Sequence, residues 1–225
     1  HAQELNGKLV MWSSCDRRKF VMAYFTGVFK GYSNVKSVLE MGSGNGINIM
    51  LLALMHPEIK EWHGVELTHE GVRVAKNLLS SPPLEYIGYI TGLNAGEIKK
   101  RLQETHITFH EGNMIRLPFS DASIDVVFSC QAIEQLPRAY MSAFSEAKRV
   151  SKKYAFFLEE FKEAQRNLFE RAHLRNVDYF CASFHELEKI GFVSVAYEEF
   201  PLRPLHYWLG FVSCVVLGNL PLERR

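Results

Sequence analysis

Glu40-Met41-Gly42-Ser43-Gly44-Asn45-Gly46 sets three alternating glycines directly behind an acid, and the apolar run Ile47 to Met55 follows. A loop of this kind lets a ligand lie against the backbone, because no Cβ stands in the way. A helix that opens behind it offers N–H groups and a partial positive charge to an anionic group. The spacing is G-x-G-x-G, not the G-x-G-x-x-G tuned to a dinucleotide pyrophosphate. Glu40 would repel a pyrophosphate and suits a cation instead, such as the ammonium of an amino acid. A second acid, Glu66, closes the short apolar segment Trp62 to Glu66. In a βαβ unit that position faces a ribose, whose two hydroxyls a carboxylate can bind. Together the residues describe a nucleotide-type pocket with one cationic arm. A lone glycine loop also fits a βα turn in an unrelated α/β protein, so the rest of the chain has to decide.

Two further segments point the same way. Ile107 to Met114 reads as a strand closing on polar residues, and Ser123 to Gln131 as a buried strand entered through Leu117-Pro118-Phe119-Ser120-Asp121. A proton acceptor at neutral pH is best supplied by histidine. His206 and His173 stand where a base could reach a pocket, with Glu134 and Glu159 as further candidates and His110 assigned to structure. Gln131, Tyr207 and Trp208 are the candidates for contact with a second substrate. No motif frames any of the candidate bases, and each taken singly reads more readily as a structural or surface residue than as a base.

The pattern that must position them alternates strands and helices. Strands are expected at 36–41, 61–66, 106–111, 123–129 and 153–159, and helices at 45–55, 69–80 and 137–150. The tail gives a helix at 183–190 and strands at 192–200 and 210–218. Alternation implies a parallel sheet with right-handed crossovers. The last two strands have no helix between them and should pair antiparallel. Residues 8–30 carry apolar positions at helical spacing and predict one or two amphipathic helices. The connection 81–105 is long, and Asn94 to Glu97 marks a capping box opening a short helix. Leu205 to Gly218 is apolar but too short and glycine-interrupted to span a bilayer. It reads as a buried last strand, or as an exposed edge toward a lipid-like substrate.

In this order the segments Glu40–Gly46, Gly64–Thr68, Gly112–Met114, Leu117-Pro118-Phe119 running into Asp125-Val126-Val127, and Arg149-Val150 resemble the class I S-adenosylmethionine-dependent methyltransferases. Within that class the chain is most similar to the type 11 group, which includes the quinone-biosynthesis methyltransferases. The resemblance spans roughly residues 35–220. It implies an α/β Rossmann-like, seven-stranded, mostly parallel sheet of order 3-2-1-4-5-7-6. Strand 7 would be antiparallel and helices would cover both faces. It implies one domain over 1–225, with an N-terminal helical cap at 1–34 and an acceptor-side lid at 161–182. It implies S-adenosylmethionine as cofactor. Gly42, Ser43, Gly44 and Gly46 would form its cradle, Glu40 would meet the ammonium, and Glu66 the ribose. Leu67 and Met114 would flank the adenine. Asn113 stands where many relatives carry aspartate. An amide oxygen there can still accept the adenine amino bond, without charge. Ser129 and Cys130 would lie near the methyl group, and Gln131 would face the acceptor.

Composition narrows the function further. A chain of 225 residues with 47% hydrophobic content can bury a sizeable core. A formal net charge of +1 gives no basic field to recruit nucleic acid. The four cysteines, Cys15, Cys130, Cys181 and Cys214, lack C-x-x-C or metal-ligand spacing, so no metal site is expected and the thiols fit a cytoplasmic enzyme. The first residue is His, so His1-Ala2 is expected to be a tag remnant or a processed end, and no signal peptide is visible. The favoured reading is transfer of a methyl group to an oxygen or nitrogen of a small molecule. The alternatives are a protein or RNA methyltransferase, or a cofactor-binding relative without turnover.

Overall fold

The computed structural model describes residues 2–5, 8–165, 168, 172, 175–176, 178–204 and 214–219. The chain divides into two compact units, residues 12–114 and residues 1–11 with 115–225. The folding pattern is α/β and Rossmann-like, with a mostly parallel arrangement of strands.

In the unit 12–114, β3 (Ser37–Met41), β4 (Glu61–Glu66) and β5 (His106–Glu111) pair in parallel, with β4 central. All five residues of β3 are buried, as expected of a parallel strand covered on both faces. The connecting helix α2 (Ile47–Met55) is apolar except for Asn48, and its residues 47–54 are buried. Helix α3 (His69–Ser80) follows β4. It is capped by Thr68, whose hydroxyl accepts the Gly71 N–H, and it buries only Val72 and Ala75. Expected and observed ranges coincide for β4, α3 and β5. Their boundaries are written in local chemistry: a strand ending at an acid, a threonine cap, a helix stopped at Ser81-Pro82-Pro83.

The long connection 81–105 holds two helices, α4 (Leu84–Thr91) and α5 (Ala95–Glu104). The capping box Asn94–Glu97 opens α5 as the sequence predicts. Helix α4 is not visible in the hydrophobic pattern, because it begins behind two prolines and buries only Ile87 and Ile90. Gly92, at φ 76°, ends it.

Residues 8–13 depart from the expected helix. The other unit contains β1 (Ala2–Leu5) and β2 (Lys8–Met11), paired antiparallel, and β1 also pairs with β9 (Leu202–Pro204). A strand partner two hundred positions away overrides local helical spacing, and no local pattern announces it. Helix α1 (Ser14–Lys30) starts after this hairpin, in the unit 12–114. Ser13 and Asp16 close its first turn as a reciprocal capping box. Its buried stripe is Val21, Met22, Phe25 and Phe29. Of the apolar positions that announced the helix, only Phe25 lies in that stripe.

The unit 1–11 with 115–225 carries β6 (Ile124–Cys130) and β7 (Ser151–Glu159), parallel to each other, with α6 (Tyr140–Val150) between them in sequence. Strand β10 (Cys214–Asn219) runs antiparallel to β7 and to β8 (Ser194–Glu199), so the final two strands of this sheet pair as expected. The predicted helix at 183–190 shrinks to α7 (Glu186–Lys189). The predicted start of α6 at 137 moves to 140, because Ile133–Gln135 form a separate 3-10 turn. Both ends of the segment 161–182 are core. Phe161 stacks on Phe144 with ring centroids 5.7 Å apart, and Phe180 meets Phe161 edge-on at 5.5 Å.

Candidate active site

The carboxyl ends of β3, β4 and β5 are stitched together by the glycine loop and by Glu66. Gly42 and Ser43 both donate their N–H to the Val65 carbonyl at 2.9 Å, folding the loop back over β4. Gly112, just past β5, donates to the Glu66 carbonyl at 2.9 Å. The Glu66 carboxylate accepts from the Gly44 N–H at 3.2 Å through Oε2. Through Oε1 it accepts from the Thr68 N–H at 3.0 Å and the Thr68 hydroxyl at 2.8 Å. Its orientation is therefore set by backbone groups on two strand ends, while the side chain stays half-buried. Oε1 thus carries two donors, and Oε2, with one, has room for another.

Two glycines of the loop are required for different reasons. Gly46 has φ 74° and caps α2, and a Cβ there would drive into the Phe109 ring. Gly44 has φ 53°, but a Cβ on it would meet nothing within 4 Å. Its bare face opens onto space where a ligand can approach the backbone.

Glu40 is 1% exposed. Its Oε1 accepts from the Asn48 side-chain amide at 2.7 Å, and its Oε2 has no hydrogen-bond partner among the described residues. Burial pushes its pKa up to about 8, against the pull of the Asn48 bond and of the Arg18 charge. The hydroxyl of Ser43, in the same loop, is also buried with no hydrogen-bond partner among the described residues. Buried polar atoms are almost always satisfied, so two orphans at one strand end mark a place completed by something else.

The expected cofactor fits these residues. The orphan acid suits an ammonium, the anchored Glu66 suits a pair of hydroxyls, and the open face of Gly44 leaves the backbone approachable. Leu67, 62% exposed beside Glu66, presents an apolar side chain of the kind that covers an aromatic ring. Asn113 is exposed and Met114 half-buried in the loop after Gly112. All nine of these candidates from Glu40 to Met114 belong to the unit 12–114. Asn48 and Arg18 were not singled out from the sequence. The signal for Asn48 was its place as the lone polar residue in the helix Ile47–Met55.

The remaining candidates fall in the other unit. Ser129 is fully buried, and its hydroxyl donates to Glu159 at 2.6 Å. Glu159 also accepts the backbone N–H of Ala132, Ile133 and Glu134 at 3.1 to 3.2 Å. Burial holds its pKa above the usual carboxylate range, although these bonds oppose the shift. Glu134 is buried, and its carbonyl accepts the Phe180 N–H at 3.0 Å. Burial, and after it the charges of Glu134, Glu160 and Glu159, push the Tyr179 hydroxyl above its ordinary pKa. Cys130 and Gln131 are half-buried, and Gln131 takes a left-handed φ of 52°. His173, His206, Tyr207 and Trp208 lie outside the described residues. His110, on β5, faces His63 of β4 with ring nitrogens 3.4 Å apart, and burial lowers the pKa of both. Among the described residues no group of three or more His, Cys, Asp or Glu side chains is placed to hold a metal ion.

The resemblance motifs Leu117-Pro118-Phe119 and Arg149 meet in space. Arg149 donates to the Phe119 carbonyl at 2.8 Å, the Leu117 carbonyl at 3.2 Å and Asp121 at 2.7 Å, while Glu146 binds both Arg149 and the Leu117 N–H. That motif pair is a loop clamp.

Comparison with known proteins agrees with this geometry. The chain is 25% identical over 185 residues to the ubiquinone/menaquinone biosynthesis C-methyltransferase UbiE of Rhizobium leguminosarum bv. trifolii, covering 78% of this chain and 69% of that protein. It is 27% identical over 184 residues to UbiE of Bartonella bacilliformis, covering 78% and 68%. Among solved structures it is similar to a SAM-dependent methyltransferase of Methanosarcina mazei, with a TM-score of 0.62, 18% identity, and coverage of 87% of this chain and 98% of that one. The YcgJ protein of Bacillus subtilis gives a TM-score of 0.59 at 16% identity, covering 88% and 98%. A family model described as a methyltransferase domain matches residues 39–159, more than half of the chain, and it begins one residue before Glu40 and ends on Glu159. On that match, with the cradle that fits the cofactor, the chain belongs to the type 11 family of S-adenosylmethionine-dependent methyltransferases.

Proposed function

We propose that this enzyme transfers the methyl group of S-adenosylmethionine to an oxygen or nitrogen of a small molecule. The observation that carries the cofactor half is the pair of acids: Glu40 with a buried oxygen lacking a partner, and Glu66 held by Gly44 and Thr68. Bound S-adenosylmethionine supplies an electrophilic methyl on a sulfonium. Glu40 holds the ammonium, Glu66 the ribose hydroxyls, and Leu67 and Met114 flank the adenine, with Asn113 at its amino group. Ser129 acts by fixing Glu159, and Cys130, Gln131, Tyr207 and Trp208 are assigned to the acceptor side. A nucleophile must reach near-attack distance out of water, and a neutral histidine, His206 or His173, is the base that takes its proton. Glu134 is the weaker choice, because a buried carboxyl flanked by Glu159 and Glu160 is a poor place for a second charge.

A small acceptor is supported by the formal net charge of +1, which gives no polymer-binding field. One observation favours a second reading: the UbiE relatives are C-methyltransferases by name. On that reading the acceptor is an electron-rich ring carbon. We further read the chain as one methyltransferase domain with sheet order 3-2-1-4-5-7-6. The strand orders within each unit, β5-β4-β3 and β6-β7-β10-β8, are the two halves of that order. We read residues 14–30 as the surviving part of the N-terminal cap and 161–182 as the acceptor lid. Placement in the cytoplasm is supported by the free thiols of Cys15 and Cys181. Among the described residues no helix is long and apolar enough to cross a membrane.

The test is turnover. The enzyme is incubated with S-adenosylmethionine and panels of phenols, alcohols, amines, quinols, peptides and RNA, and S-adenosylhomocysteine is quantified. Mass spectrometry and NMR of the product then locate the new methyl on oxygen, nitrogen or carbon. Product only with peptides or RNA would overturn the small-molecule reading, and a methyl on a ring carbon would select the second one.

A further inference from the structure

Asn48 is the second residue of α2, in a helix otherwise built of Ile, Met, Leu and Ala, and it is buried with them. A side-chain amide there must find partners on both its ends. Its NH2 donates to Glu40 Oε1 at 2.7 Å, and its carbonyl accepts from Arg18 Nη1 on α1. A guanidinium has donors only, so the carbonyl has to face Arg18 and the NH2 has to face Glu40. Arg18 therefore decides which way the amide points. Arg18 is itself seated by its helix. Ser13 and Asp16 cap α1 one turn away, Tyr89 of α4 donates to Asp16, and the Lys19 ammonium sits 4.9 Å over the Tyr89 ring.

We propose that Asn48 and Arg18 are positioning residues for the cofactor's amino-acid arm: Asn48 occupies one oxygen of Glu40 so that the other is left for the ammonium, and Arg18 sets the orientation of Asn48. The inference rests on the cofactor reading above and adds two residues to it. With the NH2 on Oε1, the partnerless Oε2 is the acceptor that remains. With the amide reversed, a carbonyl would face Glu40 and hold it in the protonated form. The acid already resists ionisation, because burial pushes it up to about 8, and one fixed donor favours the charged form an ammonium needs.

Two ligands separate this role from a purely structural one. S-adenosylhomocysteine carries adenosine and the amino-acid arm, and 5′-methylthioadenosine carries adenosine without it. Wild type, Asn48→Leu, Arg18→Met and the double variant are titrated with both by calorimetry, after thermal melts confirm folding. Asn48→Leu is expected to weaken S-adenosylhomocysteine about tenfold or more and to leave 5′-methylthioadenosine within about twofold. Arg18→Met is expected to show the same selectivity at about threefold, and the double variant to be no worse than Asn48→Leu alone, because Arg18 acts through Asn48. Equal losses for the two ligands, no loss, or additive losses in the double variant would overturn the proposal. If Asn48→Leu does not fold, Arg18→Met decides by the same selectivity. A wild type that binds neither ligand would sink the cofactor reading, and this inference with it. A wild type that binds both with unselective variants would sink the inference alone.

Discussion

Glu40 and Glu159 are both buried glutamates near the carboxyl ends of parallel strands, β3 in one unit and β7 in the other, and burial raises the pKa of each. Their surroundings differ. Glu159 is gripped by the Ser129 hydroxyl and by three consecutive backbone N–H groups, from Ala132 to Glu134. Glu40 has a single donor, Asn48, and one oxygen without any. The first acid finishes a turn. The second keeps one oxygen with no hydrogen-bond partner among the described residues, and a buried acid so placed is a candidate site for a cation. Burial and acidity alone would have ranked the two alike; the donor inventory separates them.

The largest expected effect is on Glu159. Glu159→Gln replaces a carboxylate oxygen by an NH2 that cannot accept from the backbone donors, and it should destabilise the fold by about 3 kcal/mol or more in urea titration. Glu40→Gln should cost far less in the same assay, because the cost of burying a charge disappears with the charge. Equal losses in the two variants would erase the contrast.

The pH dependence sharpens it. The ordinary value for Glu40 is 4.5 and the folded value is about 8, so between these the folded protein binds a proton that the unfolded chain does not. Stability is therefore highest below about pH 4.5 on account of this group and falls as the pH rises through about 8. Between about pH 5 and about pH 9 the wild type should lose roughly 2–4 kcal/mol more than Glu40→Gln. Parallel slopes for the two proteins would show that Glu40 is ionised throughout. Excess S-adenosylhomocysteine should flatten the wild-type slope, since it stabilises the folded state and favours the carboxylate.

A smaller effect is expected at Arg149, which ties the loop 117–121 to α6. Arg149→Ala should cost about 1–2 kcal/mol of stability, with cofactor affinity unchanged. A selective loss of cofactor affinity there would mean that the clamp belongs to the binding machinery.

What could be read from the chain alone follows the range of the interactions. The Glu40–Gly46 loop, the strand ending at Glu66 and the helix 69–80 depend on neighbours in sequence, and they were legible to the residue. The capping box of α5 was legible for the same reason. Helix α4 was hidden, because Ser81-Pro82-Pro83 and two tyrosines look like a loop until Ile87 and Ile90 are seen buried. The hairpin of β1 and β2 was mistaken for the start of a helix, since the strand that holds it, β9, lies far along the chain. The same limit hid the Arg18–Asn48–Glu40 chain, whose Arg18–Asn48 link joins residues thirty positions apart. Glu159 was weighed as a base because nothing local shows the donors that occupy it.

The central claim is that the two acids of the unit 12–114 take the two ends of S-adenosylmethionine, Glu40 its ammonium and Glu66 its ribose. Calorimetric titration of S-adenosylhomocysteine into wild type and Glu66→Ala tests it most directly. Binding to the wild type, weakened in Glu66→Ala by about 1–3 kcal/mol, is the predicted result. No association with the wild type, or equal affinity for both proteins, would contradict it, and tight binding of a nicotinamide or flavin dinucleotide in its place would assign the glycine loop to another cofactor.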